Sequence, residues 1–404
     1  MDAKWASPAR TRTATPARQV RQTGPASMDV PEYDLPDDAI AQVPAEPRDA
    51  ARLLVALGPE VQHSRVSELP GFLRDGDVLV VNTSRVVPAR LRLQKQTGGA
   101  AEVLLLERRP EAPAGGTREP PLGQAPARAV PASEAPPREA APREAPPRQA
   151  PPRQAPPRQA PPREAPAWEA LVRPGRRLPP GTVLYAGGRA VVEVGERLPD
   201  GARLVRALVD DLDAFGTLAL PPYITTPLAD PGRYQTVYAE RAGSVAAPTA
   251  GLHLTQGVLD ACAARGVKVA GLDLAVGVGT FRPIKDDRVE GHTMHAERYS
   301  VPPSTWEACK HAGRVVAVGT TTVRALESAA ATGALEGSTQ LYIQPGHHFS
   351  VVDVMMTNFH LPRSTLLVML EAFAGPRWRQ LYTLALADGY RFLSFGDAML
   401  VAKA

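Results

Sequence analysis

The sequence predicts an α/β main domain with an inserted small β-barrel, and the barrel is itself interrupted by a disordered proline-rich arm. Three observations predict this class. From Asp211 onward, β-rich runs alternate with Gly-rich turns and helical segments, as in an α/β layer with mainly parallel strands. Residues 76–210 instead hold short β-rich runs with turn signals every eight to twelve residues, which is typical of a barrel or sandwich. Finally, 18 of the 43 prolines fall between Pro110 and Pro166.

The chain begins with a segment that has no structural pattern. Residues 1–28 show neither helical nor strand periodicity and are predicted to be a disordered tail. Patterned sequence starts directly after Met28, so Met28 competes with Met1 as the first translated residue. Residues 29–75 and 211–404 are assigned to the α/β catalytic domain, and residues 76–210 to the barrel.

The arm at residues 110–166 repeats the pentapeptides APPRE and APPRQ. It offers few apolar residues to bury, and each proline removes a backbone donor, so an extended polyproline II conformation is expected. Two interpretations compete. One is a tolerated low-complexity expansion in a surface hairpin loop, and the other is a docking arm for an SH3-like partner or for RNA.

Composition argues against several classes of protein. No window approaches the ~18 uninterrupted apolar residues of a membrane span, and the N-terminus lacks the apolar region of a secretion signal. Cys262 and Cys309 are too few for a disulfide framework or a four-thiolate zinc site, which favours a reducing cytoplasm. The net charge is +4; residues 1–28 and residues 108–166 each carry +4, which leaves −4 for the rest of the chain, so a large basic binding face is not indicated.

Two turns after predicted buried strands carry candidate ligand-binding groups. The turn in AVGVGTF is either a tight structural turn or a loop whose backbone approaches a ligand. In VVAVGTTTVRALES three threonines lie where a strand ends and a helix begins. Free N–H groups and hydroxyls there suit a carboxylate or phosphate, whereas an ordinary threonine N-cap accounts for only one hydroxyl. The residues concerned are Gly277, Gly279 and Thr280 in the first turn, and Thr320, Thr321 and Thr322 in the second.

A compact loop, AAPTAGLHLT, places Thr249, Gly251 and His253 beside Pro248. The histidine either performs acid–base work or makes a structural hydrogen bond. A second histidine, His360, comes just before an amphipathic helix in TNFHLPRSTLLVML.

The segment GHTMHAE spaces His292 and His295 three residues apart, with Glu297 close behind. This spacing can build a metal site. A third strong ligand is missing, however, and in a strand the two histidines face opposite sides. Polar surface or substrate contact is therefore favoured. Near the C-terminus, YRFLSFGDAMLV surrounds Asp397 with aromatic residues whose ordinary role is packing.

Eight segments in uninterrupted order resemble the S-adenosylmethionine:tRNA ribosyltransferase-isomerase family of queuosine biosynthesis. They are DLPDDAIAQVPAEPRDAARLLV, GDVLVVNTSRVVPARL, RYQTVYAERAGSVAAPTAGLHLT, LAVGVGTFRPI, GHTMHAERYSVP, VVAVGTTTVRALES, FSVVDVMMTNFHLPRSTLLVMLEAFAG and YRFLSFGDAML. The match runs from Val30 to Val401 except through the arm. The resemblance implies that the ribosyl group of S-adenosylmethionine is transferred to 7-aminomethyl-7-deazaguanine (preQ1) at the tRNA wobble position and isomerised. Epoxyqueuosine would form, and adenine and methionine would be released.

The resemblance also implies site residues by their positions in these motifs. The acid–base candidates are His253, Asp273, His295, Glu297 and Asp397. Substrate contacts are implied for Thr249, Gly251, Gly277, Gly279, Thr280, Thr321, Thr322, Arg324 and His360, and RNA contacts for Arg85, Arg90 and Arg92. No metal or other cofactor is implied, because the sulfonium supplies the electrophilic activation and S-adenosylmethionine is a co-substrate. A monomeric cytoplasmic enzyme is expected.

Two other functions compete with this interpretation. An S-adenosylmethionine-dependent RNA methyltransferase would explain the Gly-rich strand ends, but it predicts methylated RNA and no release of adenine. A non-catalytic scaffold would explain the arm, but it leaves the histidine and threonine clusters without a purpose.

Overall fold

The computed structural model describes residues 28–108, 167–199, 201–277, 284, 286–292 and 294–404. Residues 1–27 of the predicted tail and the entire predicted arm lie outside the described residues. No helix in the described ranges is long and apolar enough to cross a membrane.

The strands and helices follow the predicted change from short β-rich runs to alternating strands and helices along the chain. The strands are β1 (Arg52–Ala56), β2 (Gln62–Arg65), β3 (Val78–Asn82), β4 (Ser84–Val86), β5 (Arg90–Lys95), β6 (Ala100–Arg108), β7 (Ala167–Arg173), β8 (Thr182–Ala186), β9 (Arg189–Arg197), β10 (Arg203–Ala207), β11 (Gly216–Thr217), β12 (Arg241–Ser244), β13 (Lys268–Leu274), β14 (Glu297–Ser300), β15 (Val315–Val318), β16 (Glu336–Thr339), β17 (Val354–Asn358) and β18 (Ala398–Ala402). The α-helices are α1 (Gln256–Ala264), α2 (Pro303–His311), α3 (Thr320–Thr332), α4 (Thr365–Ala374) and α5 (Arg377–Ala387).

A nine-stranded mixed sheet forms the main domain, in the order β16-β14-β13-β3-β15-β17-β18-β1-β2. Its centre, β13-β3-β15-β17, is parallel, and these strands are rich in valine, leucine and methionine because both of their faces are covered. Val78 and Val80 of β3 pack under α2 and α3, whereas Leu79 and Val81 pack with α1 on the opposite face. The predicted α/β main domain is confirmed.

The second sheet is an antiparallel barrel of six strands, β5-β6-β7-β10-β9-β8, closed by pairing between β8 and β5. The inward faces supply one apolar core, which includes Leu91, Val103, Leu184, Val192 and Val205. Because β6 and β7 pair directly, the segment between them is not needed to close the barrel. The predicted inserted barrel is also confirmed.

The predicted domain limits at residues 76 and 210 place two strands differently from the structure. Strand β3 lies at the centre of the large sheet, and β11 pairs with β5 of the barrel. The local sequence pattern assigns β3 to the wrong domain because its neighbours in the sheet, β13 and β15, are about two hundred residues away along the chain. The chain therefore leaves the large sheet at the carboxyl end of β3, and the barrel stands beside that edge. Strands β4 and β12, which pair in parallel, form the junction.

A candidate active site at the carboxyl ends of the parallel strands

Two adjoining cavities open where β15 and β17 end, at the edge that binds ligands in open α/β sheets. The first, called here the Pro248 cavity, is lined by residues 247–250, 319–321, 357 and 358, with Val276, His360 and Leu366. The second, the Arg324 cavity, is lined by residues 320, 321, 324, 341–343, 365 and 366, with Met294 and Met369. The two cavities share Thr320, Thr321 and Leu366, so together they form one bent cleft.

The start of α3 separates the two cavities. Gly319 occupies the N-cap position with φ of 88°, a left-handed conformation that favours glycine, and no side chain caps the helix. The alternative of an ordinary threonine N-cap is therefore excluded. Because the first N–H groups of a helix have no partner within the helix, this end favours negatively charged or acceptor groups of a ligand.

The three threonines at this helix start differ in their surroundings. Thr320 and Thr321 line both cavities, and Thr321 Oγ1 accepts a hydrogen bond from Asn82 Nδ2 at 3.4 Å. Thr322 is fully buried and donates its hydroxyl to the carbonyl of Val318 at 2.6 Å. The expected substrate contact of Thr322 is corrected on this geometry, since its hydroxyl points back into the helix.

Arg324 presents one nitrogen of its buried guanidinium without a partner. Its Nη1 donates to Glu297 Oε2, and its Nε donates to the carbonyl of Leu341 at 3.2 Å. Within the described residues, Nη2 has no hydrogen-bond partner, although the side chain is only 5% exposed. Glu297 also accepts from the backbone N–H of Gly277 at 3.0 Å, so this carboxylate holds the guanidinium in place. The orphan nitrogen suits an anionic ligand group.

The hydroxyl of Tyr342 is the second orphan group of the Arg324 cavity. In the described part of the chain it has no hydrogen-bond partner. Burial, together with the nearby Glu290 carboxylate, raises the pKa of Tyr342 to about 12, so the hydroxyl keeps its proton at neutral pH. Arg324 and Tyr342 both line the Arg324 cavity, so a guanidinium N–H and a phenol O–H without partners belong to its wall.

His360 is the titratable side chain that lines the Pro248 cavity among the described residues. Its Nε2 lies 3.0 Å from Thr357 Oγ1, and its backbone N–H donates to the hydroxyl of Tyr382 at 2.8 Å. Burial lowers the pKa of His360 to about 3. The imidazole is therefore neutral at pH 7, and it can accept a proton but carries none to donate as a cation.

His253 lies behind the Pro248 cavity and does not line it. Its Nε2 accepts a hydrogen bond from Asn358 Nδ2 at 3.0 Å, and Asn358 lines the cavity. Burial lowers the pKa of His253 to about 4, against the opposing influence of the Asp397 carboxylate. The acid–base role that the resemblance implies for His253 stays a prediction; the structure places the ring one residue away from the cavity, in contact with Asn358.

The other acid–base candidates also lie outside the cleft. In the described part of the chain, none of His253, Asp273, His295, Glu297 and Asp397 lines either cavity. Asp397 is 2% exposed and accepts backbone N–H bonds from Arg52 at 2.9 Å and Arg391 at 2.8 Å, so it ties strand segments together. His295 is exposed to solvent. Their acid–base roles stay predictions, and neither cavity brings these residues together.

Asp273 is nearly buried and faces arginines on the side of the sheet next to the barrel. Burial raises the pKa of Asp273, and the guanidinium groups of Arg241 and Arg298 oppose this effect. Arg241 Nη1 lies 3.8 Å from Asp273 Oδ2. Arg85, on β4, is exposed at the same junction between sheet and barrel.

The glycine candidates have different positions. Gly251 is buried in the turn Thr249–His253, where an added Cβ would collide with the Tyr238 hydroxyl. This position therefore requires glycine for steric reasons. Gly277 contributes its N–H to Glu297 as described above. Gly279 and Thr280 lie outside the described residues. Thr249 does line the Pro248 cavity, and its hydroxyl donates to Asn358 Oδ1 at 3.1 Å.

Asn358, Thr357 and Tyr342 were missed by sequence reasoning. A signal for the first two was present, because they are the last residues of a buried strand that neighbours the strand before Thr320. The carboxyl ends of parallel neighbours meet at one edge, so polar residues there are candidates for ligand binding. No comparable signal marked Tyr342, which lies in an irregular segment.

Comparison with known proteins gives consistent matches over most of the chain. A family model described as queuosine biosynthesis protein matches residues 29–401. S-adenosylmethionine:tRNA ribosyltransferase-isomerase of Rubrobacter xylanophilus is 44% identical over 376 residues, covering 92% of this chain and 96% of that protein. The same-named protein of Thermus thermophilus is 45% identical over 395 residues, covering 92% and 98%. A crystal structure of S-adenosylmethionine tRNA ribosyltransferase from Thermotoga maritima is 30% identical, covers 92% and 99%, and has a TM-score of 0.46.

Proposed function

Because the chain belongs to the queuosine biosynthesis protein family, we propose that its bent cleft binds S-adenosylmethionine and presents the ribosyl group to tRNA. The protein is an S-adenosylmethionine:tRNA ribosyltransferase-isomerase that acts in queuosine biosynthesis. Its acceptor in this proposal is the preQ1 base at the wobble position of the anticodon loop. The products are epoxyqueuosine in tRNA, free adenine and free methionine.

The observation that carries this assignment to the cleft is the orphan donor pair of the Arg324 cavity. Arg324 Nη2 and the Tyr342 hydroxyl have no partners among the described residues, and they match the methionine carboxylate of S-adenosylmethionine. The methionine side chain would then run along Leu366 and Met369. The adenosine would occupy the Pro248 cavity.

The chemistry requires a proton acceptor near the sulfonium. Removal of a proton from the carbon next to the sulfonium leaves an ylide that the positive sulfur stabilises, and the aminomethyl nitrogen must be uncharged to attack the sugar. We assign the proton acceptor to His360, since it is the titratable side chain that lines the Pro248 cavity in the described part of the chain. To accept the proton at Nδ1, the ring would carry its hydrogen on Nε2 and donate it to Thr357 Oγ1. The sulfonium supplies the electrophilic activation, so no metal or further cofactor enters this scheme.

The tRNA would approach from the junction between the barrel and the sheet. A wobble base in a single-stranded loop can be splayed out and read by stacking and edge contacts, without a large basic face. Exposed Arg85 on β4 and Arg241 on β12 are suited to the phosphates that flank the base. We further propose that the protein acts as a monomer in the cytoplasm.

The reaction itself is tested with the purified full-length protein. Incubation with S-adenosylmethionine and tRNA that carries preQ1 should release adenine and methionine in equal amounts and raise the nucleoside mass to that of epoxyqueuosine. The same tRNA with unmodified guanine at the wobble position is the matched control and should give no release. Formation of S-adenosylhomocysteine with methylated RNA would instead support the methyltransferase and contradict the proposal.

The assignment to His360 has its own test. His360→Gln should lower kcat by about 10²- to 10⁴-fold, while the affinity for S-adenosylhomocysteine stays near that of the unaltered protein. His311→Gln, at an exposed histidine of α2, is the control and should leave kcat unchanged. A folded His360→Gln protein that retains more than about a tenth of the turnover would remove His360 from the role of proton acceptor.

A further inference from the structure

Asn358 lines the Pro248 cavity with an amide that is only half satisfied. The residue is the last of β17 and is 3% exposed. Its Nδ2 donates to His253 Nε2 at 3.0 Å, and its Oδ1 accepts from Thr249 Oγ1 at 3.1 Å. A carboxamide offers two N–H donors and two acceptor lone pairs. One N–H and one lone pair therefore have no partner among the described residues, and both belong to a buried group on the cavity wall.

Neighbouring residues fix the orientation of this amide. His253 is neutral because burial lowers its pKa, so its Nε2 can act as the acceptor for Nδ2. The turn that carries His253 is itself held by Arg48, whose Nη1 donates to the carbonyls of Leu252 at 3.2 Å and Gln235 at 2.7 Å. With nitrogen held toward His253 and oxygen toward Thr249, the cavity faces a donor beside an acceptor in a defined order.

A donor beside an acceptor is complementary to one edge of adenine. Adenine presents the N7 acceptor next to the 6-amino donor, and an asparagine amide can bond both at once. Hypoxanthine and guanine present two acceptors, N7 and O6, at the same edge, so the amide oxygen would face O6 without a proton between them. A buried polar site that is left unpaired in this way rejects the wrong ligand strongly.

We infer that Asn358 selects adenine as the purine of the co-substrate, by donating Nδ2–H to N7 and accepting a hydrogen bond from the 6-amino group. The inference rests on the proposed function, because it takes the Pro248 cavity as the site of the adenosine. His253 and Thr249 are then positioning residues that hold the amide. This role gives the buried histidine of the AAPTAGLHLT loop a purpose that does not require it to exchange a proton.

The test compares three unreactive thioethers that differ only in the purine. S-adenosylhomocysteine carries the full edge, its inosine counterpart replaces the 6-amino donor by an acceptor, and its 7-deazaadenosine counterpart lacks the N7 acceptor. Titration calorimetry with the full-length protein should give a Kd for S-adenosylhomocysteine about 10- to 100-fold lower than for either analogue. Equal affinity of the unaltered protein for all three thioethers would overturn the inference.

The variant Asn358→Leu keeps the branched shape of the side chain but has neither donor nor acceptor. In this variant the three Kd values should agree within about threefold. Gln94→Leu, the same change of an amide to an apolar group on the exposed face of β5, should leave the discrimination intact. Persistent discrimination in Asn358→Leu would assign purine selection to another group. If this variant does not fold, the Kd values of the three thioethers for the unaltered protein still test the inference, because equal values would overturn it.

The preQ1 tRNA assay separates this inference from the proposed function. Release of adenine with no discrimination among the thioethers would overturn the role of Asn358 and leave the reaction standing. Discrimination among thioethers without any release of adenine would contradict the ribosyl transfer itself, while still locating an adenine site.

Discussion

The variant Arg324→Lys probes the proposed carboxylate site most directly. Arg324 uses two nitrogens in contacts within the protein, since Nη1 donates to Glu297 and Nε donates to the Leu341 carbonyl, while Nη2 has no partner among the described residues. Lysine keeps the charge but places all its donors on one nitrogen, which the buried Glu297 carboxylate will hold. The methionine carboxylate of the ligand then loses its hydrogen-bond donor, whereas the Glu297 carboxylate keeps a cationic partner.

The expected sizes follow from the bonds that are lost. A hydrogen bond to a charged group contributes about 1.5 to 3 kcal/mol. Loss of the bond from Nη2 should therefore raise the Kd for S-adenosylmethionine by about 10- to 150-fold. Loss of the bond to Leu341 should lower the free energy of unfolding by only about 1 kcal/mol. Complete removal of the cation, as in Arg324→Met, would cost about 3 to 5 kcal/mol because the buried Glu297 carboxylate would lose its guanidinium partner.

Arg314 provides a matched control, since it also pairs with a nearly inaccessible carboxylate. Its Nε lies 3.0 Å from Asp77 Oδ1 and its Nη2 lies 2.5 Å from Asp77 Oδ2, at the end of β15 opposite to the cleft. Arg314→Lys should lower the melting temperature and leave the Kd for S-adenosylmethionine unchanged. Calorimetry and thermal melts on both variants separate the two effects. An unchanged Kd in a folded Arg324→Lys protein would refute the carboxylate assignment.

Three further predictions concern pH, backbone space and the arm. Because the pKa values of His253 and His360 are lowered to about 4 and about 3, their contribution to stability is present above about pH 6.5 and is lost as the pH falls. The melting temperature should fall between pH 7 and pH 5, and it should fall less in His360→Asn. An equal fall in both proteins would contradict this prediction. Gly251→Ala should lower the free energy of unfolding by about 1 to 3 kcal/mol, because the added methyl group would collide with the Tyr238 hydroxyl. In urea titrations, adding Tyr238→Phe to this variant should restore part of the lost stability. No recovery would place the strain elsewhere. Replacing residues 113–162 by a short Gly/Ser loop should change neither melting temperature nor turnover, because β6 and β7 pair directly, and a tenfold rise in KM for tRNA would instead identify the arm as an RNA contact.

The fold class was predictable because both kinds of strand leave local signatures. The central strands of the large sheet are continuous apolar runs such as VLVV and VVAV, while the barrel strands alternate and are separated by turn residues. The sheet to which one strand belongs is not a local property. Val78–Asn82 could be assigned only through its partners Lys268–Leu274 and Val315–Val318, which no short window of sequence contains.

Part of the site followed from helical geometry. At 3.6 residues per turn, Thr320, Thr321 and Arg324 fall within about a 100° arc at the start of α3, whereas Thr322 falls on the far side. The structure places the first three at the cavities and buries Thr322. The same arithmetic, applied to the sequence, would have separated Thr322 from its neighbours.

The role of a histidine, in contrast, depends on groups that the sequence does not place beside it. His253 occupies the most recognisable loop of the chain, and its spacing from Pro248 and Gly251 is compatible with acid–base work or with a structural hydrogen bond. What distinguishes the two is the amide of Asn358, 105 residues further along the chain, which donates to the imidazole and stands between it and the cavity. Burial lowers the pKa of His253 to about 4 and that of His360 to about 3, so basicity does not distinguish the two rings. His360 lines the cavity and His253 does not, and the proposed proton acceptor was chosen on this difference in position.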